Sequence, residues 1–312
     1  MSLDTIFSLV QTALELGLIS ALTVLALFLS YSMLNVCDLS TDGCFTLGAA
    51  VGAAVAIAGH PYLSLPAAMA AGMLSGFVTA LLQTKMGVNS LLAGIIVNTA
   101  LYSVNIAVMG NASVLNMNKT ETVFTKMRAL LEHTALAGQY RLIVAAAAVL
   151  LAAVLLGMFL RTRLGLAIRA TGDNPDMVRS SSNNPTMTTI VGLCLSNALT
   201  ALSGCLLAQS QKSVNIDIGT GMVTAALASL LIGGVFLGRR KLPLRILGMV
   251  LGAFVFRLVY TVALRFDMPA FMLKLVSAVV VVAAISIPYL KGQYPLLRRR
   301  MEHRMGRRNA GC

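Results

Sequence analysis

Nine apolar stretches, each close to the roughly 20 residues a helix needs to cross a bilayer, occupy most of this 312-residue chain. They lie at 14–36, 43–59, 64–84, 88–109, 139–160, 186–209, 220–237, 243–264 and 270–289. Lipid offers no partner to a free backbone N–H or C=O, so such stretches must be helices. The expected fold class is therefore all-α: a polytopic membrane protein of about nine transmembrane helices, in the range of eight to ten. Residues 3–13 read as a short additional helix at the membrane surface, with Ile6, Phe7 and Val10 on one side. Charged residues make up 11% of the chain and hydrophobic ones 57%, against about 25% charged in a soluble domain. The expected organisation is one membrane unit over residues 1–290, carrying a loop at 161–185, followed by a basic tail at 291–312.

The net charge of +13 does not indicate a nucleic-acid partner, because the basic residues sit in short segments between apolar runs. Arg161, Arg163, Arg169 and Arg179 follow the fifth run; Arg239, Arg240, Lys241 and Arg245 lie between the seventh and eighth. Lys291, Arg298, Arg299, Arg300, Arg304, Arg307 and Arg308 follow the ninth. When the spans alternate, all three clusters fall on one side, which the positive-inside rule makes cytoplasmic. The C-terminus is then inside, the N-terminus outside, and the loop at about 110–138 external. No Lys or Arg precedes Lys85, so the first run has no positive flank of a cleaved signal peptide.

Chemistry-bearing constellations are absent. The five cysteines (Cys37, Cys44, Cys194, Cys205, Cys312) have no metal-ligand spacing and read as small buried hydrophobes. The three histidines (His60, His133, His303) fall in loops or the tail, so no Ser/His or His-Glu-x-x-His arrangement lies within a span. No Gly-x4-Gly-Lys-Ser/Thr phosphate loop occurs; Gly233-Gly-Val-Phe-Leu-Gly238 is followed by two arginines. An enzyme is not expected, nor a cofactor or metal held by this chain.

The most informative stretch is Leu164–Pro185, LGLAIRATGDNPDMVRSSSNNP. Each of its two Asn-Pro pairs reads as a helix start. Asn174 can accept from the first free backbone N–H groups, and Pro175 takes the first helical position, where its missing N–H does no harm. Asp176 complements the positive end of the helix dipole. A short helix is expected over 175–181, presenting Met177 and Val178 to the cytoplasm between Asp176 and Arg179. Asn184-Pro185 repeats the arrangement at the start of the sixth span.

GLAIRATGDNPDMVRSSSNNP and the span after it resemble the cytoplasmic loop of the branched-chain amino acid and ribose type of ABC importer permeases. Gly165, Arg169, Ala170, Gly172, Asp173 and Asn174 match the family's loop pattern. DLSTDGCFTLGAAVGA, beginning at Asp38, and the segment ending in Gly233-Gly234 resemble two further family segments. The likeness runs from about residue 14 to 290. Ser180-Ser181-Ser182-Asn183 departs from it, standing where the family has a more apolar run. The resemblance implies a coupling helix that docks on an ATPase, with Arg169, Asp173, Asn174, Pro175, Asp176, Met177, Val178 and Arg179 as coupling residues. It also implies two ATPase subunits that bind ATP and Mg, an extracellular or periplasmic solute-binding protein, and a second permease copy; no sequence feature decides between homodimer and heterodimer, and the homodimer is the preferred expectation. The implied location is a bacterial inner membrane, and the implied cargo is an amino acid, sugar or nucleoside.

Polar residues near span ends mark a candidate path. Asp38, Ser40 and Asp42 follow the first span; Asn215, Asp217 and Thr220 precede the seventh. The runs Asp38-Leu-Ser-Thr and Asp217-Ile-Gly-Thr are alike and are separated by five spans, which is the pattern of inverted repeats with broken helices lining a central path. Gly94, Asn98, Tyr102 and Asn105 share one stripe of the fourth span, as a path or a helix contact would require. Ser196, Thr200 and Ser203 in the sixth span read as close packing. Arg257 and Lys274 are expected to snorkel outward. No strong charge pair lies on this path, which favours a zwitterionic or neutral solute, an amino acid first and an aromatic one among those. An ion-coupled secondary transporter is the alternative, although such proteins bury ionisable groups deep within spans.

Overall fold

The computed structural model describes residues 3–132, 137–181, 184–237 and 241–265, with single positions and short pieces between 272 and 286. Six helices within it are long and apolar enough to cross a membrane: Leu9–Met33, Ser64–Thr84, Ser90–Val108, Tyr140–Phe159, Pro185–Gln211 and Leu242–Leu264. Two shorter apolar helices, Thr41–Ile57 and the one starting at Met222, account for the second and seventh expected runs. The protein is an all-α polytopic membrane protein, with one two-stranded ribbon among the described residues. The ninth expected span is described only in part, helical over 277–283 with single positions at 272, 275 and 286; Lys274 and the 291–312 tail lie outside the described residues.

In chain order the helices are α1 (Leu3–Leu27), α2 (Thr41–Ile57), α3 (Ser64–Thr84), α4 (Ser90–Val108), α5 (Val123–Leu131), α6 (Tyr140–Phe159), α7 (Arg163–Asp173), α8 (Pro175–Ser180), α9 (Pro185–Gln211), α10 (Met222–Leu237) and α11 (Leu242–Arg265). The separate surface helix expected at 3–13 does not form. α1 runs unbroken from Leu3 to Leu27 and widens into a π-helical turn over Phe28–Met33. Thr12, Glu15 and Gly17 lie within it without stopping the helix, and no Pro occurs there to remove a backbone donor. It ends at Asn35, whose φ of 56° reverses the chain, a conformation Asn tolerates better than most residues.

α9 is the axis of the bundle, and small residues make it so. Gly48 and Gly52 of α2 lie directly against Ala201 and Cys205 of α9, and Gly72 and Gly76 of α3 lie against Asn197 and Leu193. A Cβ at any of the four would collide with the facing helix. Two small-xxx-small faces therefore clamp α9 at backbone contact, where dispersion replaces the hydrophobic effect that lipid does not supply. Ser196 and Ser203 donate to the carbonyls of Ala26 and Ile19 in α1, at 2.8 and 2.7 Å. The packing role expected of these serines is what the structure contains.

The long loop after α4 is structured. Val114–Asn116 (β1) pairs antiparallel with Ser213–Asn215 (β2), Leu115 opposite Val214, and α5 starts with a reciprocal cap between Thr122 and Thr125. Buried Gln209 ties this end together, accepting from the Val123 N–H at 3.0 Å and donating to Ser64 Oγ at 2.6 Å. The opposite end of the bundle carries Lys85, Arg161, Arg163, Arg179, Lys241 and Arg245. These two poles are the ribbon end and the basic end.

Length decides where α2 and α10 sit. At about 1.5 Å per residue, the 17 residues of α2 and 16 of α10 rise about 25 Å, short of the roughly 30 Å hydrocarbon core. Cys44 in the first turn of α2 donates to the carbonyl of Asn197 at 3.3 Å, and Asn197 lies about 18 Å along α9 from its basic-end start. α2 thus begins inside the bundle and runs to the ribbon end. α10 begins beside the same point and runs the other way, with Gly233 packed on Gly248 near the basic end of α11.

Candidate translocation site and coupling segment

The two segments assigned from sequence to opposite span ends meet inside the bundle. Asp42, in the first turn of α2, accepts from the backbone N–H groups of Gly221 at 3.0 Å and Val223 at 2.8 Å, the entry to α10. Gly219 lies on the Asp42 carbonyl and the Thr46 hydroxyl with no room for a side chain. Gly221, at φ +84°, turns the chain into the helix. Each of these helix N-termini carries a positive dipole end, so one carboxylate serves the starts of two oppositely directed helices. Non-helical backbone at this depth is tolerated only where protein or a polar cavity covers it.

Upstream of α10, Asp217 donates its N–H to Asn215 Oδ1 at 3.1 Å, and its carbonyl accepts from the Thr220 N–H and hydroxyl at 3.0 and 2.9 Å. Asn215, Asp217, Thr220, Gly221 and Thr224 are all exposed and form a polar strip leading down to Asp42. Asp38 differs: at 1% exposure it lies inside the packing. It accepts from the Ser40 N–H at 2.8 Å and from Asn197 Nδ2 at 3.0 Å, and no basic group lies within 4 Å among the described residues. The Ser40 hydroxyl in turn accepts from Thr79 of α3 at 3.3 Å. Asp38 therefore pins the α1–α2 connection to α9.

The expected stripe on α4 divides. Gly94 packs on the backbone of Leu39, Asn98 lies over Gly43, and Asn105 donates to the Gly43 carbonyl at 3.1 Å. These three make the contact of α4 with α2 and the connection before it, while Tyr102 faces outward at 52% exposure. A residue eight positions on is 800° around the helix, 80° off the stripe, which is enough to carry Tyr102 clear of α2. Sequence reasoning passed over Asn197 and Gln209. Both are amides inside an apolar run, the signal that marks a costly and purposeful position.

At the basic end, α7 and α8 form a bent pair with Asn174 at the joint. Its N–H closes α7 on the Ala170 carbonyl at 2.9 Å, and its Oδ1 caps α8 by accepting from the N–H groups of Asp176 and Met177 at 3.0 and 3.2 Å. The helix expected at 175–181 is present as Pro175–Ser180, and Asn184 caps α9 in the same way through the Thr186 N–H at 3.0 Å. One expectation is corrected. Met177 is 67% exposed, but Val178 is buried at 3%, because a helix of under two turns seats one side on α9 while showing the other. Asp173, Pro175, Asp176 and Arg179 are exposed. Asp176 and Arg179 stand 3.8 Å apart, a surface pair that adds little stability. Arg169 of α7 is half-buried, unlike these four.

α7 also touches the path. Gly172 packs on the Met33 carbonyl and the Leu34 backbone, and Thr171 shares a 2.8 Å hydrogen bond with Thr188 of α9. From Leu34 the connection continues through Asp38 to Asp42. The exposed α8 and the α2–α10 junction are thus joined by the irregular chain of residues 34–40 and one glycine contact.

Residues 9–285 match the family described as the branched-chain amino acid transport system / permease component. The chain belongs to that family. As a member it is an ABC-type permease embedded by multiple spans, and the family implies association with an ATPase and a solute-binding protein. A tyrosine transport system permease protein of Clostridioides difficile (strain R20291) is 30% identical over 271 residues, covering 86% of this permease and 88% of the relative. An uncharacterized protein of Rickettsia prowazekii (strain Madrid E) is 33% identical over 224 residues, 71% of this chain and 75% of that one. No solved structure matches the chain.

Proposed function

We propose that this permease imports a small amino acid with an aromatic side chain, driven by ATP that a separate subunit hydrolyses. The observation that carries the reading is the capped α7–α8 pair, which holds Met177 out at 67% exposure while Gly172 bears on the connection leading to Asp42. A soluble partner that grips α8 would move that connection as a lever. Two ATPase subunits, each with its own ATP and Mg, dock on the basic end, which is cytoplasmic; a binding protein delivers solute to the ribbon end. The C-terminus is cytoplasmic, the membrane is a bacterial inner membrane, and two copies of the chain assemble as a homodimer around the polar strip from Asn215 to Asp42. This chain itself holds no cofactor and catalyses no reaction. The similarity to a tyrosine transport permease, together with the lack of a strong charge pair on the strip, supports a zwitterionic aromatic solute.

Reconstitution in proteoliposomes with the co-expressed ATPase tests this. Tyrosine uptake should require ATP and the ATPase subunit, and should vanish in the Asp176→Lys, Met177→Asp double variant while the permease still purifies folded. Uptake driven by an ion gradient with no ATPase present would overturn the proposal in favour of a secondary transporter.

A further inference from the structure

A cleft of about 840 Å³ opens between α6 on one side and α3 and α9 on the other. Met69 and Met73 of α3, Ala148 and Leu155 of α6, and Ile190 and Leu206 of α9 line it, and no charged side chain of the described residues faces it. From Ile190 to Leu206 it runs about 24 Å at 1.5 Å per residue, most of the roughly 30 Å hydrocarbon core. Here α6 leans on α1 and barely touches α9. At the ribbon end the cleft passes into a second pocket, of about 550 Å³, lined by His60 and Tyr62 of the α2–α3 turn and by Lys126 of α5. Pro66 borders both spaces, and Met127, next to Lys126 along α5, faces the cleft.

Unfilled apolar space forfeits dispersion contacts, so in a bilayer the cleft takes a hydrocarbon chain, to which flexible methionines adapt. The pocket above it identifies what that chain is attached to. Lys126 Nζ lies 3.3 Å from Glu121 and 5.6 Å from the centre of the Tyr62 ring. An ammonium has three donors, and the carboxylate engages one. Tyr62, 57% exposed, stands as tyrosines do at headgroup level. A cation at the mouth of an apolar cleft complements a phosphate with an acyl chain beneath it. We propose that a phospholipid of the leaflet at the ribbon end is held here, its phosphate on Lys126 and one acyl chain in the cleft between α6 and α9. These two helices flank the α7–α8 pair, so the lipid sets their separation. The site needs only a chain embedded in lipid and does not rest on the transport reading.

The test is native mass spectrometry and thermal unfolding of the purified full chain in mild detergent, with phosphatidylethanolamine, the diacylglycerol of the same chains, or chain-free glycerophosphoethanolamine added. Phosphatidylethanolamine should be retained and should raise the unfolding midpoint, and the two fragments should do neither. Lys126→Gln should weaken retention about tenfold or more, and Ala148→Phe, which fills the cleft, should abolish it. Lys126 gives the fold only a surface pair, so the first variant stays folded even if the second does not. Equal retention in wild type and Lys126→Gln, or an equal midpoint gain from the diacylglycerol, would overturn the site. An equal gain from glycerophosphoethanolamine would overturn the cleft as its anchor. A second copy of the chain bound in place of lipid, and lost in Ala148→Phe, would mean that a neighbouring helix covers the cleft and would overturn the proposal as well.

Discussion

Replacing Asp42 by Asn should loosen the start of α10. The carboxylate accepts two backbone N–H groups, at 3.0 and 2.8 Å. Hydrogen bonds to a charged acceptor contribute about 1.5–3 kcal/mol each, and neutral ones about 1 kcal/mol. Asn keeps one acceptor oxygen but turns an NH2 toward the other N–H, so one bond weakens to a neutral one and the second is lost. Loss of the negative charge at two helix N-termini adds about 0.3–1 kcal/mol for each. Gly221 and Thr224 are exposed, so water partly replaces the lost acceptor, which places the net effect at about 2–4 kcal/mol. At 1.4 kcal/mol per factor of ten, local opening at the α10 start should rise roughly 30-fold or more. Hydrogen exchange of the Gly221 and Val223 amides reads this directly, beside those of α9 as an internal control. Uptake should fall while the chain still assembles. Unchanged exchange at both amides in Asp42→Asn and Asp42→Ala alike would refute the role given to this carboxylate.

Gly172→Ala should uncouple ATP hydrolysis from uptake, because the new methyl group displaces α7 from Met33 and Leu34; tight coupling in that variant would show that the contact transmits nothing. Asn197→Leu removes a donor to a carboxylate that has no basic partner among the described residues, so stability should drop by about 2–3 kcal/mol, measured as a lowered unfolding midpoint that Asp38→Asn in the same background restores in part. Asp38→Asn and Asp217→Asn singly should reduce uptake without disturbing assembly, and normal uptake in both would remove them from the path. Gly72→Ala overpacks the α3–α9 contact, so it should cost about 1–3 kcal/mol and lower the yield of folded protein; an unchanged midpoint would show that the helices can part there.

Much of the architecture was legible in the chain. Helix count and boundaries follow from the cost of leaving backbone groups unpaired in lipid, a rule that acts on each run separately, so Ser64–Thr84 and Pro185–Gln211 lie within a few residues of where hydropathy places them. The caps of α8 and α9 were equally readable, because Asn174-Pro175 and Asn184-Pro185 act on amides two and three positions away. Local interactions need no partner helix to be inferred.

The site was not legible in the same way. Asp38, Asp42 and Asp217 stand at the ends of apolar runs, and alternation of spans assigns their segments to opposite faces. Only packing shows that α2 and α10 are too short to cross and start together inside the bundle, with Asp42 reaching a helix 179 positions further on. The same holds for Asn197 on Asp38 and for Val178 on the buried side of α8. Each depends on which helix face meets which neighbour. That choice was made by small residues such as Gly48, Gly72 and Gly172, whose function is the side chain they lack, and a missing Cβ has meaning only once the facing helix is in place. Sequence alone thus determined that the chain lies in the membrane as capped helices; the tertiary structure decided which polar groups meet, because contact across lipid-embedded helices is set by shape rather than by hydropathy.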